Sequence, residues 1–338
     1  RRDVVAAVAD LGVDRGCWAC WPCASSEGDK PPSMTPRLWA ISDLHIGYKV
    51  NREVLEQIPA HPQDWVLLVG DIGETLEQLR FCLDLFAERF AQVVWVPGNH
   101  ELWTHKSCES RLRGRARYTR LVQVCQERGV ITPECPYRAL PWDPKIWLVP
   151  LFVGIDYSMG PEGMDPEQAK KWAREKFIIS TDERLWHPDP YPNLQSWCAA
   201  RVEESEARMK AELPSDAQSV LVAHWPLRRD LVRLPKKVAR FTPWCGTLAT
   251  TDWHTRFRAK VVVSGHLHMR ATDWRDGVRF EEVALGYPRH WHQESGIAGY
   301  LREILPGLCE DLDNGGPVWH RYGSYTPSPP GGSPALPK

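Results

Sequence analysis

The chain has 338 residues, of which 43% are hydrophobic and 25% are charged, the balance of a globular protein. The 42 Lys and Arg residues nearly cancel the 43 Asp and Glu residues, and the net charge of −1 argues against a protein that coats nucleic acid. No apolar run approaches the length of a membrane span, which argues against an integral membrane protein.

Two terminal stretches have the composition of linkers. Residues 24–36 and 326–338 are rich in Pro, Ser and Gly. We therefore predict a disordered leader and linker over 1–36, a folded domain over 37–325 and a disordered tail over 326–338. Whether residues 1–33 belong to the native protein is left open.

The cysteines and the N-terminal residues bear on the cellular compartment. Seven of the 10 Cys are scattered singly, which favours buried free thiols, whereas Cys17, Cys20 and Cys23 form C-x-x-C-x-x-C. We interpret that run as part of a disordered or untranslated leader, with a metal or cluster site as the alternative. Asp3 and Asp10 interrupt the stretch that most resembles a signal peptide, so a cytoplasmic location is expected.

Short apolar runs that end in polar or Gly-rich residues predict buried strands. In chain order these are Leu38–Ser42, Trp65–Val69, Val93–Val96, Ile146–Val149, Val220–Ala223 and Val261–Ser264, with Val278–Ala284 as a further candidate. Segments with helical spacing lie between them, at Arg52–Ile58, Thr75–Phe90, Arg117–Arg128, Pro166–Lys176 and Leu194–Leu213. Strands alternating with helices predict an α/β architecture. The stretch 161–213 is charged and rich in Trp and Pro, and we expect a helical insertion there.

Metal-ligand side chains follow five of the predicted strands, where each strand leaves the core. The groups are Asp43-Leu44-His45, Gly70-Asp71, Gly98-Asn99-His100-Glu101, His224 and Gly265-His266-Leu267-His268. In α/β sheets this edge is where ligands bind. Any one of these residues is more simply explained as a turn residue, a helix cap or a hydrogen-bonded His, but five such strand ends in order predict a metal site. Asp oxygens, His nitrogens and an Asn carbonyl oxygen suit Mn, Zn or Fe.

The ordered set D-x-H, G-D, G-N-H-E, H and G-H-x-H resembles the calcineurin-like metallophosphoesterase superfamily, with all five blocks intact. The resemblance implies an α/β fold in which two mixed β-sheets pack as a sandwich with flanking helices, in four αββα layers. The alternation of strands and helices by itself does not distinguish this fold from a doubly wound single sheet. The resemblance also implies two divalent or trivalent metal ions, with Mn, Fe and Zn as candidates.

The resemblance further implies a role for each motif residue. The first metal would be held by Asp43, His45, Asp71 and His268. The second metal would be held by Asp71, Asn99, His224 and His266. Asp71 would bridge the two metals and so take part in catalysis. His100 would be the other catalytic residue, not a ligand but a general acid or a donor to charge on the phosphoryl oxygens. Glu101 would orient His100 or a ligand.

Residues of the connecting loops would select the substrate. The candidates are Tyr157, Arg228 and His290, together with Trp103, His105, Asp156, Arg229 and His292. The alternative for each of them is a loop residue with no such role.

The resemblance implies hydrolysis of a phosphate ester by metal-activated hydroxide. We expect a phosphomonoesterase acting on a phosphorylated small molecule or protein. A phosphodiesterase or nuclease with the same metal core is the alternative, although the near-zero net charge weakens the nuclease hypothesis. A catalytically inactive scaffold of the same fold is an alternative of another class. The sequence fixes neither the physiological substrate, nor the identity of the metals, nor the oligomeric state.

Overall fold

The computed structural model describes residues 35–105, 111–307, 318–321 and 324–325. The predicted tail, the predicted leader up to residue 34 and the cysteine run within that leader lie outside these described residues.

Strands and helices alternate through most of the described chain. The strands are β1 (Leu38–Ile41), β2 (His61–Val69), β3 (Phe90–Val96), β4 (Arg138–Leu140), β5 (Asp143–Pro150), β6 (Gln218–Val222), β7 (Ala259–Ser264), β8 (Ala271–Arg275), β9 (Val278–Glu282), β10 (Arg302–Leu305), β11 (Val318–Arg321) and β12 (Ser324–Tyr325). The α-helices are α1 (Lys49–Leu55), α2 (Leu76–Arg89), α3 (Asn99–Leu102), α4 (Gly114–Gln126), α5 (Pro166–Arg174), α6 (Asp182–Leu185), α7 (Leu194–Glu212) and α8 (Trp253–Arg256).

The strands form two mixed sheets. The first has the order β10-β1-β2-β3, in which β1, β2 and β3 are parallel and β10 pairs antiparallel with β1. The second has the order β12-β11-β8-β9-β7-β6-β5-β4, in which β5, β6, β7 and β9 are parallel and the strands β4, β8, β11 and β12 are antiparallel to their neighbours.

The sheets pack face to face because alternate side chains of each strand point to opposite faces. Leu67 of β2 and Val220 of β6 belong to one apolar cluster between the sheets. On the outer faces, Leu68 belongs to a cluster with residues of α1, α2 and α4, and Leu221 to a cluster with residues of α7 and α8. The four-layer αββα architecture implied by the resemblance is thereby confirmed.

The structure also contains strands that the sequence analysis does not predict. Strands β8 and β10, with sequences ATDWR and REIL, are too polar to form an apolar run, and β10 is an edge strand of the first sheet. The stretch 161–213, all of which is described, contains α5, α6 and α7 and no strand beyond an isolated bridge at Trp186. None of the helices in the described ranges is both long and apolar enough to cross a membrane.

Candidate metal centre

Both sheets contribute loops to one site at the carboxyl ends of their parallel strands. The loop after β1 pairs with the loop after β2, because the amide of Asp43 donates to the Gly70 carbonyl at 2.9 Å and that of His45 donates to the Asp71 carbonyl at 3.0 Å. In the second sheet the amide of Gly265 donates to the His224 carbonyl at 2.9 Å. Ligand-type side chains that are up to 225 residues apart in sequence are thereby brought into contact.

The ligand atoms fall into three overlapping groups, within each of which all atoms lie within 4.8 Å of one another. The groups are Asp43 with His45 and His268; His45 with Asp71 and His100; and Asp71 with His224 and His266. Asp71 and His45 each belong to two groups. The overlap gives a continuous array of oxygen and nitrogen ligands around Asp71, where the resemblance places the bridging ligand.

The first group is compact and nearly buried. Nε2 of His268 lies 2.9 Å from Oδ1 of Asp43 and 3.1 Å from Nε2 of His45. On its other side, Nδ1 of His268 lies 3.0 Å from Nδ1 of His290. Because His290 contacts the outer nitrogen, the inner nitrogen of His268 is directed at Asp43 and His45.

The third group is centred on the fully buried His224. Its Nδ1 lies 2.8 Å from the Val69 carbonyl, which can only accept, so Nδ1 carries the proton of the neutral ring. Its Nε2 then presents a lone pair to three neighbours, at 3.2 Å from Oδ1 of Asn99, 3.3 Å from Nδ1 of His266 and 3.4 Å from Oδ2 of Asp71.

The backbone at the site is unusual for residues with side chains. Five of the seven metal-ligand candidates have positive φ angles, between 42° and 72°. These residues are Asp43, His45, Asp71, His266 and His268. Residues other than Gly rarely adopt this region, and Asp and His are among those that tolerate it best. Strained backbone of this kind concentrates at functional sites, where the surrounding structure holds it in place.

Glu101 holds the loops after β2 and β3 together. One of its carboxylate oxygens accepts from the amides of Asp71 at 2.9 Å and Gly98 at 2.8 Å, and the other accepts from the amide of Ile72 at 2.5 Å. It therefore fixes the backbone of a ligand candidate, one of the two roles that the resemblance left open, and its contacts are not with the His100 ring. Burial, reinforced by Asp71, raises the pKa of Glu101 to about 7.

Two motif glycines allow carboxylates to approach the backbone closely. A Cβ atom at Gly98 would lie 2.1 Å from Oδ1 of Asp71, and one at Gly265 would lie 2.4 Å from Oδ2 of Asp43. Both distances are far shorter than any real carbon contact, so a side chain at either position would displace a ligand candidate.

The amide of Asn99 is oriented by α6. Oδ1 of Asp182 accepts from Nδ2 of Asn99 at 3.0 Å and from Nε1 of Trp103 at 2.7 Å, and Oδ2 accepts from the hydroxyl of Ser180 at 2.7 Å. Because Nδ2 of Asn99 is engaged in this way, Oδ1 is directed at His224.

The ring of His100 lies between two carboxylates. Its Nε2 is 3.8 Å from Oδ2 of Asp71, and its Nδ1 is 3.0 Å from Oε1 of Glu74, whose other oxygen is 2.8 Å from Nε2 of His105. Burial opposes protonation, but Asp71 and Glu74 outweigh it and raise the pKa of His100. The ring also packs on Trp103, with centroids 3.7 Å apart. The resemblance excludes His100 from the ligands, but a ring nitrogen of His100 lies within 4.8 Å of ligand atoms of His45 and Asp71.

The electrostatics of the site favour bound positive charge. Burial opposes ionisation of Asp43 and Asp71, but neighbouring imidazoles hold the pKa of both carboxyls below the ordinary value. Burial likewise opposes protonation of His224, but these two carboxylates raise its pKa to about 10. Burial and His224 lower the pKa of His266 to about 3, and burial with His100 lowers that of His45.

This ligand set fits transition-metal ions. The inward-facing atoms are carboxylate oxygens, imidazole nitrogens and an amide oxygen, a mixture typical of Mn, Fe and Zn sites. Three of them lie around Nε2 of His224, and the two oxygens among them, from Asn99 and Asp71, favour a proton or a cation at that position. Metal binding releases such a proton.

The predicted substrate residues are placed differently from one another. His290 contacts the site through His268. The hydroxyl of Tyr157 donates to Glu183 at 2.7 Å, and its ring is linked to His266 through the rings of Trp244 and Phe241.

Arg228 does not join the site. Its guanidinium lies 2.9 Å from the carboxylates of Asp230 and Asp276 and 3.1 Å from Nε2 of His254. Two carboxylates of an ion-pair network already neutralise the charge of Arg228, and its contact with substrate stays a prediction. Asp156, another candidate, accepts from Ser158 and Thr247.

Among the residues that contact the predicted ligands or His100 and that sequence reasoning missed are Glu74, Asp182 and Tyr287. Glu74 could have been considered, since it follows Asp71 by three residues in the same loop. Asp182 carries no comparable signal, because it lies 83 residues from Asn99 in a stretch without strand patterning. Tyr287 packs its ring on His45 at 4.4 Å and on His268 at 4.8 Å.

Comparison with known proteins gives consistent matches. The model of the calcineurin-like phosphoesterase family matches residues 36–270. The chain is 44% identical over 287 residues to the [acyl-carrier-protein] phosphodiesterase PptH of Mycobacterium tuberculosis strain H37Rv, covering 82% of this chain and 86% of that protein. The crystal structure of phosphopantetheinyl hydrolase PptH from M. tuberculosis aligns with a TM-score of 0.77 at 43% identity, covering 82% of this chain and 98% of that chain.

Proposed function

The chain belongs to the calcineurin-like phosphoesterase family, and from this premise we propose that it is a metal-dependent phosphodiesterase that removes the phosphopantetheinyl group from an acyl carrier protein. The similarity to PptH supports the phosphodiesterase alternative over the phosphomonoesterase that we expected from the sequence. Substrate, site residues and a cytoplasmic location are all parts of this proposal.

The observation that carries the proposal is the shared position of Asp71. Its carboxylate belongs both to the group with His45 and to the group with His224 and His266. A carboxylate that belongs to two neighbouring groups of ligand atoms could bind an ion in each group. We propose two ions, of Mn, Fe or Zn, held by the seven candidates Asp43, His45, Asp71, Asn99, His224, His266 and His268.

When bound, such a pair of ions supplies Lewis acidity toward phosphoryl oxygens and lowers the pKa of water. The residues of the chain do the rest. Contacts from Glu101, Asp182 and His290 hold Asp71, Asn99 and His268 in place before substrate binds. The ligands therefore need no reorganisation during the reaction.

His100 is the proton donor in this proposal. In the overall reaction the oxygen of water bonds to phosphorus, the bond from phosphorus to the carrier-protein oxygen breaks, and that oxygen gains a proton. Asp71 and Glu74 raise the pKa of His100, which favours the protonated ring, and Glu74 holds Nδ1 so that Nε2 faces Asp71 and the reacting group.

The proposal is tested with the metal-loaded protein and two substrates. We expect release of 4′-phosphopantetheine from phosphopantetheinyl carrier protein, followed by mass spectrometry, at a kcat/KM well above that for p-nitrophenyl phosphate. The His100→Ala variant is expected to lose about 10²–10⁴-fold in kcat on the carrier protein. Faster turnover of the monoester than of the carrier-protein diester would contradict the proposal.

A further inference from the structure

An aromatic and cationic strip leads from the metal centre to the surface. Tyr287 packs its ring 4.4 Å from that of His45, Tyr48 contacts Tyr287 at 5.6 Å, and the guanidinium of Arg289 lies 5.0 Å from the Tyr287 ring centroid. We refer to Tyr48, Tyr287 and Arg289 as the rim strip. It connects a metal-ligand candidate to solvent through ring contacts.

The rim strip has unused binding capacity. Tyr48 is 48% exposed and Arg289 is exposed, although both lie at the mouth of a buried site. Among the described residues, neither tyrosine hydroxyl has a hydrogen-bond partner and Arg289 has no carboxylate partner. Other arginines are paired with carboxylates, as Arg228 is with Asp276 and Arg233 is with Asp273. An apolar surface with free donors fits a chain that carries both methyl and amide groups.

The rim strip and His100 both adjoin the ring of His45. The His45 ring contacts His100 at 4.6 Å and Tyr287 at 4.4 Å. Tyr287 also packs on His268 at 4.8 Å and on His290 at 5.3 Å, whereas His100 packs on Trp103 at 3.7 Å, so the two rings have different neighbours around His45. A diester has two ester oxygens, and the departing one must face the proton donor. The other ester group then extends toward Tyr287.

We propose that the rim strip binds the ester group that remains on phosphorus after hydrolysis. This inference rests on the proposed function, under which that group is the pantetheine chain. Its geminal methyl groups pack on the tyrosine rings, and its hydroxyl and amide groups bond to the tyrosine hydroxyls and to Arg289. The carrier protein lies on the His100 side.

Product binding tests this assignment without relying on turnover. In calorimetric titration of the metal-loaded protein, we expect 4′-phosphopantetheine to bind more tightly than inorganic phosphate. The double variant Tyr48→Ala with Arg289→Ala should lose about tenfold in affinity for 4′-phosphopantetheine and keep its affinity for phosphate within about twofold. Neither substituted side chain contacts a ligand candidate directly, so metal content should be unchanged.

Arg138→Ala serves as the control, since Arg138 is exposed on β4, an edge strand of the second sheet that three strands separate from β9, the strand before Tyr287. The inference is wrong if the double variant binds both anions as the wild type does, if it loses affinity for both alike, or if the wild type does not discriminate between them. Failure of the proposed function is a separate outcome, seen as the absence of carrier-protein hydrolysis by the wild type.

Discussion

At the scale of single residues, the site depends on backbone that is costly to form. A residue with a side chain in the left-handed region is disfavoured by about 1–2 kcal/mol. Asp43 and His45 adopt it within three residues of each other, as do His266 and His268. In this conformation the two polar side chains of each pair, which are two residues apart, both face the site. Hydrogen bonds such as that from the Asp43 amide to the Gly70 carbonyl hold it in place.

Gly98 provides a test of how tightly the centre is packed. Its φ of −99° is accessible to any residue, so Gly98→Ala introduces only a steric conflict, with Oδ1 of Asp71 at 2.1 Å from the new Cβ. We expect metal affinity and kcat/KM to fall by about 10–100-fold, measured by elemental analysis after dialysis and by carrier-protein hydrolysis.

The matched control is Gly47→Ala, whose Cβ would meet only the end of the flexible Gln78 side chain at 3.3 Å. If Gly98→Ala retained metal and activity as well as Gly47→Ala, the position of Asp71 would not be critical.

At the scale of elements, the stretch that carries α6 supplies part of the site. Asp182→Ala leaves Nδ2 of Asn99 and Nε1 of Trp103 without their buried acceptor, which frees the Asn99 amide to rotate. We expect about 10–100-fold weaker binding of one of the two ions, with the other retained, in a metal titration.

Asp182→Asn keeps one acceptor oxygen and should retain most of the affinity. Equal and undiminished binding of both ions by the two variants would show that α6 does not position Asn99.

The elements differ in how well the sequence predicts them. A sheet or helices cover each face of strands β1, β2, β3, β6 and β7, so their sequences are apolar runs. The first polar residue after each run marks the end of the strand in the sequence. That is why Asp43, Asp71 and His224 could be identified. The edge strand β10 and the polar β8 have no such run.

Partners that act across the fold could not be predicted in the same way. The contact of Asp182 with Asn99 depends on how the stretch 161–213 packs, and charged residues are frequent throughout that stretch. The pairing of Arg228 with Asp276 depends on a turn 48 residues away. A sequence pattern records which side chains are available, not which of them are already neutralised.

At the scale of the whole molecule, the sandwich brings two independent ligand sets to a common point. The first sheet contributes Asp43, His45, Asp71 and Asn99, and the second contributes His224, His266 and His268. Neither sheet by itself offers both sets, so the site forms only when the sheets are packed. Bound metal is therefore expected to stabilise the folded domain against unfolding.

The most direct test of this account is elemental analysis of the purified wild type beside Asp71→Ala and His100→Ala, with carrier-protein hydrolysis measured on the same samples. The account predicts about two transition-metal ions per chain in the wild type and in His100→Ala, of which only the wild type turns over substrate at the full rate. Asp71→Ala should lose metal and activity together. Full metal content and activity in Asp71→Ala, or loss of metal in His100→Ala, would contradict a binuclear centre built on a shared aspartate.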